Sequence, residues 1–263
     1  MAYVRVNDVT MYYEQHGVPR GPTMVLLHGF NATGARVWQR QIPRFAERYR
    51  VLVPDWRGHG RTDNPGGPAA MNHRQFARDA AAFCRELDVQ RAIFWGSSSG
   101  AMQLLSLALD EPHLAHALVL CACSHYYPDA LRAMWRTLTP EAWVPEERRA
   151  QLRELHTALG PDHWRQVVGA WIALGAHAHT DDFPEKEALR GITAPTLIVH
   201  GDRDQFFPVE MPVELYRLLP DAELCILPRT GHGVVGQHPE LVGTLVESFL
   251  AGRVEADPHS PGS

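Results

Sequence analysis

Six short apolar runs recur along the chain: Met24–Leu27, Val51–Val53, Ala92–Trp95, Leu118–Cys121, Thr196–Val199 and Leu224–Leu227. Three of the six stop directly at Pro54, Gly96 or Pro228. Each is continuous, not alternating, which suits strands covered on both faces, as in a parallel sheet. Parallel neighbours need crossovers, and helical spacing fills the gaps. Trp38–Arg48 carries apolar residues at Trp38, Ile42, Phe45 and Ala46; Gln75–Leu87, Ala101–Leu109, Pro212–Leu219 and Leu241–Leu250 follow. Two alternating stretches, Tyr3–Val6 and Val9–Tyr13, open the chain around Asn7-Asp8, a hairpin signal. The expected fold class is α/β, an eight-stranded, mostly parallel sheet flanked by helices with right-handed crossovers.

One interval breaks this rhythm. Residues 124–190 hold no clear strand, several helix-like pieces, and Trp135, Trp143, Trp164 and Trp171, four of the seven tryptophans. That is too long for a loop. It reads as a helical cap inserted after the sixth strand and seated over the strand ends. The core is then 1–123 with 191–252, and 253–263, polar with two prolines, reads as a disordered tail. The net charge of −5 offers no Lys/Arg excess for phosphates, so neither nucleic acid nor an anionic membrane is an expected partner. The opening residues carry no basic and apolar leader, and no run reaches a membrane span. Cys84, Cys121, Cys123 and Cys225 read as small hydrophobes, with Cys121 and Cys123 sharing one face of a strand. A cytoplasmic, reducing compartment fits.

The sharpest chemical signal is Phe94-Trp95-Gly96-Ser97-Ser98-Ser99-Gly100-Ala101-Met102, after a strand and before a helix. G-x-S-x-G in that setting is a nucleophile elbow, a sharp turn that lifts a serine hydroxyl above the sheet. The glycine frame picks the middle serine. Ser98 has Gly96 and Gly100 at −2 and +2, whereas Ser97 would need glycine at Trp95, and Ser99 has Ser97 and Ala101 there. A plain reading, serines that merely cap a helix, competes. A serine hydroxyl needs a base. Among fifteen histidines, His232 stands out in Thr230-Gly231-His232-Gly233, between the last strand and the last helix. His28, before Gly29 at a strand end, reads as a brace, and His238 before Pro239 as structural. The acid that orients the base is expected after Leu197-Ile198-Val199-His200-Gly201, where Asp202 and Asp204 stand. Asp202 suits the turn itself, and Asp204 is better placed to reach over. Two fixed donors for an oxyanion are expected in the backbone N–H groups of Ser99 and Phe30.

The chain resembles the α/β-hydrolase superfamily, within its large group of capped small-molecule esterases, lactonases and meta-cleavage-product hydrolases. Four motifs carry the resemblance in order: Leu27-His28-Gly29-Phe30, Asp55-Trp56-Arg57-Gly58-His59-Gly60-Arg61-Thr62, Gly96–Gly100, and Val199-His200-Gly201-Asp202-Arg203-Asp204 followed by Gly231-His232. It implies a catalytic set of Ser98, Asp204 and His232, since the family's acid closes G-x-x-D. It covers residues 3–251, most weakly in the cap. Departures narrow it. Ser98 speaks against relatives with an Asp nucleophile. Gly233 stands where carbon–carbon hydrolases usually have Trp, and Ser99 where amino-acid ester hydrolases have Asp. Cofactor-free dioxygenases of the fold flank the elbow serine with histidines and take their acid from the earlier strand, and this chain does neither.

Ester or lactone cleavage of a small, partly hydrophobic molecule is therefore expected, with no cofactor. Carbon–carbon hydrolysis of a dienol-type substrate and a non-catalytic receptor role are the alternatives. Trp135, Trp143, Trp164 and Trp171 are candidate substrate-pocket residues, with cap core as the plainer reading. The run from Ala176 to Asp182 has two alternating histidines beside acids and reads as a polar loop, not a metal site.

Overall fold

The computed structural model describes residues 1–177 and 182–254. Eight strands form one sheet: β1 (Ala2–Val6), β2 (Val9–Gly17), β3 (Thr23–Leu27), β4 (Arg50–Pro54), β5 (Ala92–Ser97), β6 (Ala115–Cys121), β7 (Thr196–Gly201) and β8 (Ala222–Leu227). Their order is β1-β2-β4-β3-β5-β6-β7-β8. β2 runs antiparallel to β1 and β4, and every other pairing is parallel. The opening hairpin pairs Val6 with Val9, so Asn7-Asp8 is a two-residue turn, with Asn7 at φ +51°.

Side chains alternate between the two sheet faces, and both faces are dry, which is why these runs read as unbroken. Met24, Leu26, Ile93, Trp95 and Val199 pack on one face with Trp38, Phe45 and Val246. These last three come from α1 (Gly34–Trp38), α2 (Ile42–Ala46) and α11 (Pro239–Arg253). Val25, Leu27, Phe94 and Ile198 point the other way, against Phe76 of α3 (His73–Glu86) and Leu104 of α4 (Ser99–Asp110). Asn72 caps α3, its Oδ1 accepting from the N–H of Gln75 at 2.9 Å.

Two sequence expectations fail locally. The single helix Trp38–Arg48 is two short ones, because Pro43 has no N–H to give and its ring blocks a continuing turn. The second helix restarts with Pro43 in its first turn, where that donor is not needed. Cys123 also lies beyond the strand expected to hold it, since β6 ends at Cys121 and Ala122 turns at φ +49°. All four cysteines are free thiols.

Among the described residues, four α-helices lie between β6 and β7: α5 (Asp129–Trp135), α6 (Pro140–Trp143), α7 (Glu146–Leu155) and α8 (His163–His177). α9 (Glu210–Leu218) and α10 (Val234–Gln237) complete the set. Among the described residues, no helix is long and apolar enough to cross a membrane. Residues 255–263 of the expected tail lie outside the described residues.

Candidate active site

At the elbow, β5 ends and α4 begins with Ser98 between them at φ +55°, ψ −121°. Such a conformation is strained for a residue with a side chain. The crossing is tight. A Cβ on Gly96 would stand 2.4 Å from the Gly100 carbonyl oxygen, and one on Gly100 would stand 2.2 Å from that of Leu27. The glycine frame is therefore a steric requirement of the turn.

Three loops at the carboxyl ends of the strands meet over Ser98. His232, in the loop after β8, accepts from the Ser98 hydroxyl at Nε2 over 2.8 Å. Its Nδ1–H donates to Asp204 Oδ2, also over 2.8 Å. The Asp204 carboxylate is buried and held from its other side, since Oδ1 accepts from the amides of Phe206 (2.8 Å) and Phe207 (3.1 Å). Burial alone would raise this acid. The hydrogen bond and charge of His232, with the Phe206 amide, outweigh it and hold the carboxyl below its usual range. His200 is fully buried with Nε2 3.6 Å from the same carboxylate, and that nitrogen donates to the Phe207 carbonyl at 2.9 Å. Burial lowers the His200 basicity, so it is a neutral brace. Asp202 has another job: its Oδ1 accepts from the Thr230 amide at 3.0 Å and fastens the base loop.

The loop after β3 closes the fourth side. A Cβ on Gly29 would stand 3.1 Å from Ser98 Cβ, so the backbone leading into Phe30 runs beside the nucleophile position. Ser99 opens α4, where the first N–H groups have no partner within the helix. Both expected donors thus belong to segments that flank Ser98. His28 is the brace expected: fully buried, it accepts from the Trp56 amide at 3.1 Å and donates from Nδ1 to the Gly29 carbonyl at 2.7 Å. Burial lowers its pKa to about 4.

The four tryptophans separate. Trp143 and Trp171 are half-buried, 5.0 Å apart by ring centroids, and each lies 6.0 Å from Phe206. Phe206 sits edge-on to the His232 ring at 4.8 Å. These two indoles thus reach the base through one intervening ring. Trp135 is buried, packed against Tyr127 at 4.8 Å and Trp171 at 5.1 Å. Trp164 is fully buried, with the Arg153 and Arg165 guanidinium groups over its ring, in the interior of the insertion and not at Ser98. Its candidacy as a pocket residue is corrected by that burial.

Sequence reasoning missed Phe206 and Phe207, although both lie within three residues of Asp204. It also missed two histidines of the insertion. His156 accepts from the Gly60 amide at 2.9 Å, and His163 donates to the Gly58 carbonyl at 2.8 Å. They seat the insertion on the Asp55–Thr62 turn. Beside the site lies a cleft of about 530 Å³, bounded by Asn31, Ser97 and Gly233 below and by Gln151, Leu152 and Leu155 of α7 above. Among the described residues no group of three side chains could hold a metal ion. Residues 178–181 of the His/Asp run lie outside the described residues.

Residues 22–165 match the sequence profile of the alpha/beta hydrolase fold. The chain belongs to the alpha/beta hydrolase fold family. Relatives match over most of its length. The 2-hydroxy-6-oxononadienedioate/2-hydroxy-6-oxononatrienedioate hydrolase of Cupriavidus pinatubonensis is 28% identical over 94% of both chains. Among solved structures, the meta-cleavage product hydrolase of Pseudomonas fluorescens IP01 superposes with a TM-score of 0.78, 20% identity, and coverage of 96% of this chain and 98% of its own. At that identity it speaks for the fold alone. Est816, described as an N-acyl homoserine lactone degrading enzyme, gives a TM-score of 0.75 at 26% identity, covering 94% of this chain and all (100%) of its own.

Proposed function

We propose that this alpha/beta hydrolase is a serine hydrolase that cleaves a carboxylic ester or lactone of a small, partly hydrophobic molecule through an acyl-enzyme. The observation that carries the reading is the unbroken chain Ser98 Oγ–His232–Asp204, two hydrogen bonds of 2.8 Å each. In the first step Ser98 Oγ attacks the carbonyl carbon while His232 Nε2 takes its proton. Asp204 fixes the His232 tautomer and stabilises the imidazolium. The N–H groups of Phe30 and Ser99 receive the oxyanion, each such donor typically worth ~2.7–4 kcal/mol in the transition state. The imidazolium then protonates the leaving alkoxide. Water, deprotonated by His232, repeats the attack and releases the acid.

Residues 124–190 act in this reading as a cap. Trp143, Trp171 and Phe206 supply an apolar wall beside the base, which suits a hydrophobic acyl or alcohol group. Four free thiols, three of them buried, suit a reducing compartment. The lactone branch gains weight from the N-acyl homoserine lactone degradation ascribed to Est816.

The dienedioate hydrolase of Cupriavidus favours one second reading, carbon–carbon hydrolysis of a dienol substrate by the same three residues. A graded panel of p-nitrophenyl esters and lactones, run beside a coloured ring-fission product, separates the two. Ser98→Ala should abolish turnover while the protein stays folded, and a fluorophosphonate should add its mass to the peptide holding Ser98. Undiminished ester cleavage by Ser98→Ala would overturn the proposal.

A further inference from the structure

Ser99 carries two groups of interest. Its amide is one of the two oxyanion donors in the reading above. Its hydroxyl turns away to a second histidine: Ser99 Oγ lies 2.6 Å from His73 Nε2. Both residues are buried, and His73 is fully so. His73 is the first residue of α3, whose start is fixed by the Asn72 cap. The Ser99 hydroxyl is thus tied to a rigid neighbouring helix.

The same histidine nitrogen lies 3.3 Å from the Tyr127 hydroxyl. The His73 ring also lies 5.1 Å from Phe183 by centroids. Tyr127 stands just before α5, where the chain enters the helical insertion, and Phe183 stands where it returns. Tyr127 in turn stacks on Phe207, which lies 5.4 Å from the His232 ring. His73 is therefore where the elbow and both connections of the insertion meet.

The chemistry of His73 suits a fixed strut and not a second base. Among the described residues its Nδ1 is buried without a partner. With the hydrogen on Nε2, donated to Ser99 Oγ, only a lone pair goes unpaired at Nδ1. The opposite tautomer would bury an unpaired N–H, the costlier arrangement. Burial holds the ring neutral, with a pKa of about 3.

We propose that His73 is a positioning residue for the oxyanion hole: through Ser99 Oγ it fixes the direction of the Ser99 N–H, and through Tyr127 it ties that donor to the root of the helical insertion. This rests on the serine-hydrolase reading. A merely structural hydrogen bond would change stability and leave the partition between ground state and transition state alone. A positioning role must act on the transition state, because the N–H is used only when the oxyanion forms.

The test is a double-mutant cycle of His73→Leu and Ser99→Ala, with His73→Gln as the conservative variant whose amide N–H can reach the same oxygen. Each variant is assayed for ester hydrolysis and for binding of an alkyl trifluoromethyl ketone, which forms a tetrahedral oxyanion adduct. Thermal unfolding is followed in parallel. The expected result is a kcat lower by roughly 10- to 100-fold in each single loss variant, below the full loss of a donor, with KM within about threefold. Ketone affinity should fall in step with kcat/KM. The double variant should be no worse than the poorer single, and His73→Gln should recover most of kcat. Additive losses, an effect on KM alone, or wild-type kcat and ketone affinity in Ser99→Ala would overturn the proposal. Ser99→Ala and His73→Gln carry the test if His73→Leu does not fold. Wild-type protein without Ser98-dependent turnover would instead sink the hydrolase reading itself.

Discussion

His28, His59, His73 and His156, four of the five fully buried histidines among the described residues, make a quantitative demand on stability. Burial lowers the basicity of each: to about 4 for His28, to about 3 for His73 and His156, and well below the ordinary 6.5 for His59. Neighbouring imidazoles add to the effect at His59 and His156, whose rings lie 5.7 Å apart. The folded state keeps these rings neutral, and the unfolded chain protonates them at ordinary values. Their contribution is therefore fully present above pH 6.5 and is lost as pH falls toward their folded values. At pH 5 the unfolded imidazoles of His28, His73 and His156 have each gained about 2 kcal/mol of protonation free energy that their folded counterparts lack. Together they give about 6 kcal/mol, comparable with the whole stability of an ordinary domain, roughly 5–15 kcal/mol, and His59 acts in the same direction. Asp55 opposes this. Burial raises its carboxyl to about 6, so acid stabilises it in the folded state, by about 1.4 kcal/mol at pH 5. The assay is urea unfolding followed by tryptophan fluorescence between pH 8 and 5. Unfolding free energy should fall by about 5 kcal/mol or more, with a net uptake of about two to three protons near pH 5. His156→Gln should remove about one proton from that slope. A stability that is flat from pH 8 to pH 5 would refute the argument.

Three other outcomes follow from the site. Asp204→Asn keeps an oxygen for the Phe206 and Phe207 amides but turns an N–H toward His232 Nδ1, forcing the wrong tautomer; kcat should fall by about 10⁴ with little change in unfolding temperature. A Cβ on Gly201 would stand 2.2 Å from the Thr230 carbonyl oxygen, so Gly201→Ala should push the acid and base loops apart and cut kcat by about 100-fold or more, seen in steady-state kinetics on soluble, folded protein. Arg36, Arg40 and Arg148 rim the cleft beside Ser97, Arg40 also pairing with Glu240, and among its described lining residues there is no carboxylate. A mono-p-nitrophenyl ester of adipic acid should therefore be preferred over p-nitrophenyl hexanoate at low salt, and Arg36→Ala with Arg148→Ala should shrink that ratio. Equal kcat/KM for the two esters in the wild type would count against an electropositive cleft.

The sheet was legible because its strands are buried on both faces, and continuous runs such as Val25–Leu27 or Ile198–Val199 have no other comfortable use. Ser98 was legible because a sharp turn at φ +55° leaves room only for glycine at Gly96 and Gly100. The α1–α2 break was visible as Pro43 yet was outweighed by apolar periodicity. The contacts made by His73 and His156 were not legible. His73 meets Ser99 across 26 residues and His156 meets Gly60 across 96, and no local pattern marks either partner. A count of fifteen histidines does not say which of them are internal. The tryptophans were ambiguous for a related reason. Trp164 and Trp171 both lie on α8, seven residues apart, but one is sealed under two arginines and the other faces Phe206.

The geometry at Ser98 depends less on the three side chains than on the backbone beneath them. The acid and base loops are laced together before Asp204 or His232 contributes. Asp202 N–H donates to the Leu227 carbonyl at 3.0 Å, Arg203 N–H to the Thr230 carbonyl at 2.8 Å, and the Thr230 amide returns a bond to Asp202. Gly201 permits that approach. Asp204 then takes two amides of its own loop, so its second oxygen faces His232 with little freedom left. Each link removes motion that would otherwise have to be frozen during reaction, where a misplacement of about 1 Å can cost two orders of magnitude in rate. The same logic extends to the opposite wall. His28 holds the Gly29 carbonyl and the Trp56 amide, while His156 and His163 pin the next turn to the insertion. At the His28 and His156 posts buried neutral imidazoles suit the task, because each offers one donor and one acceptor without a charge to desolvate. That choice is what makes the fold acid-sensitive: the groups that hold the loops in register at neutral pH are the ones an unfolded chain would most readily protonate.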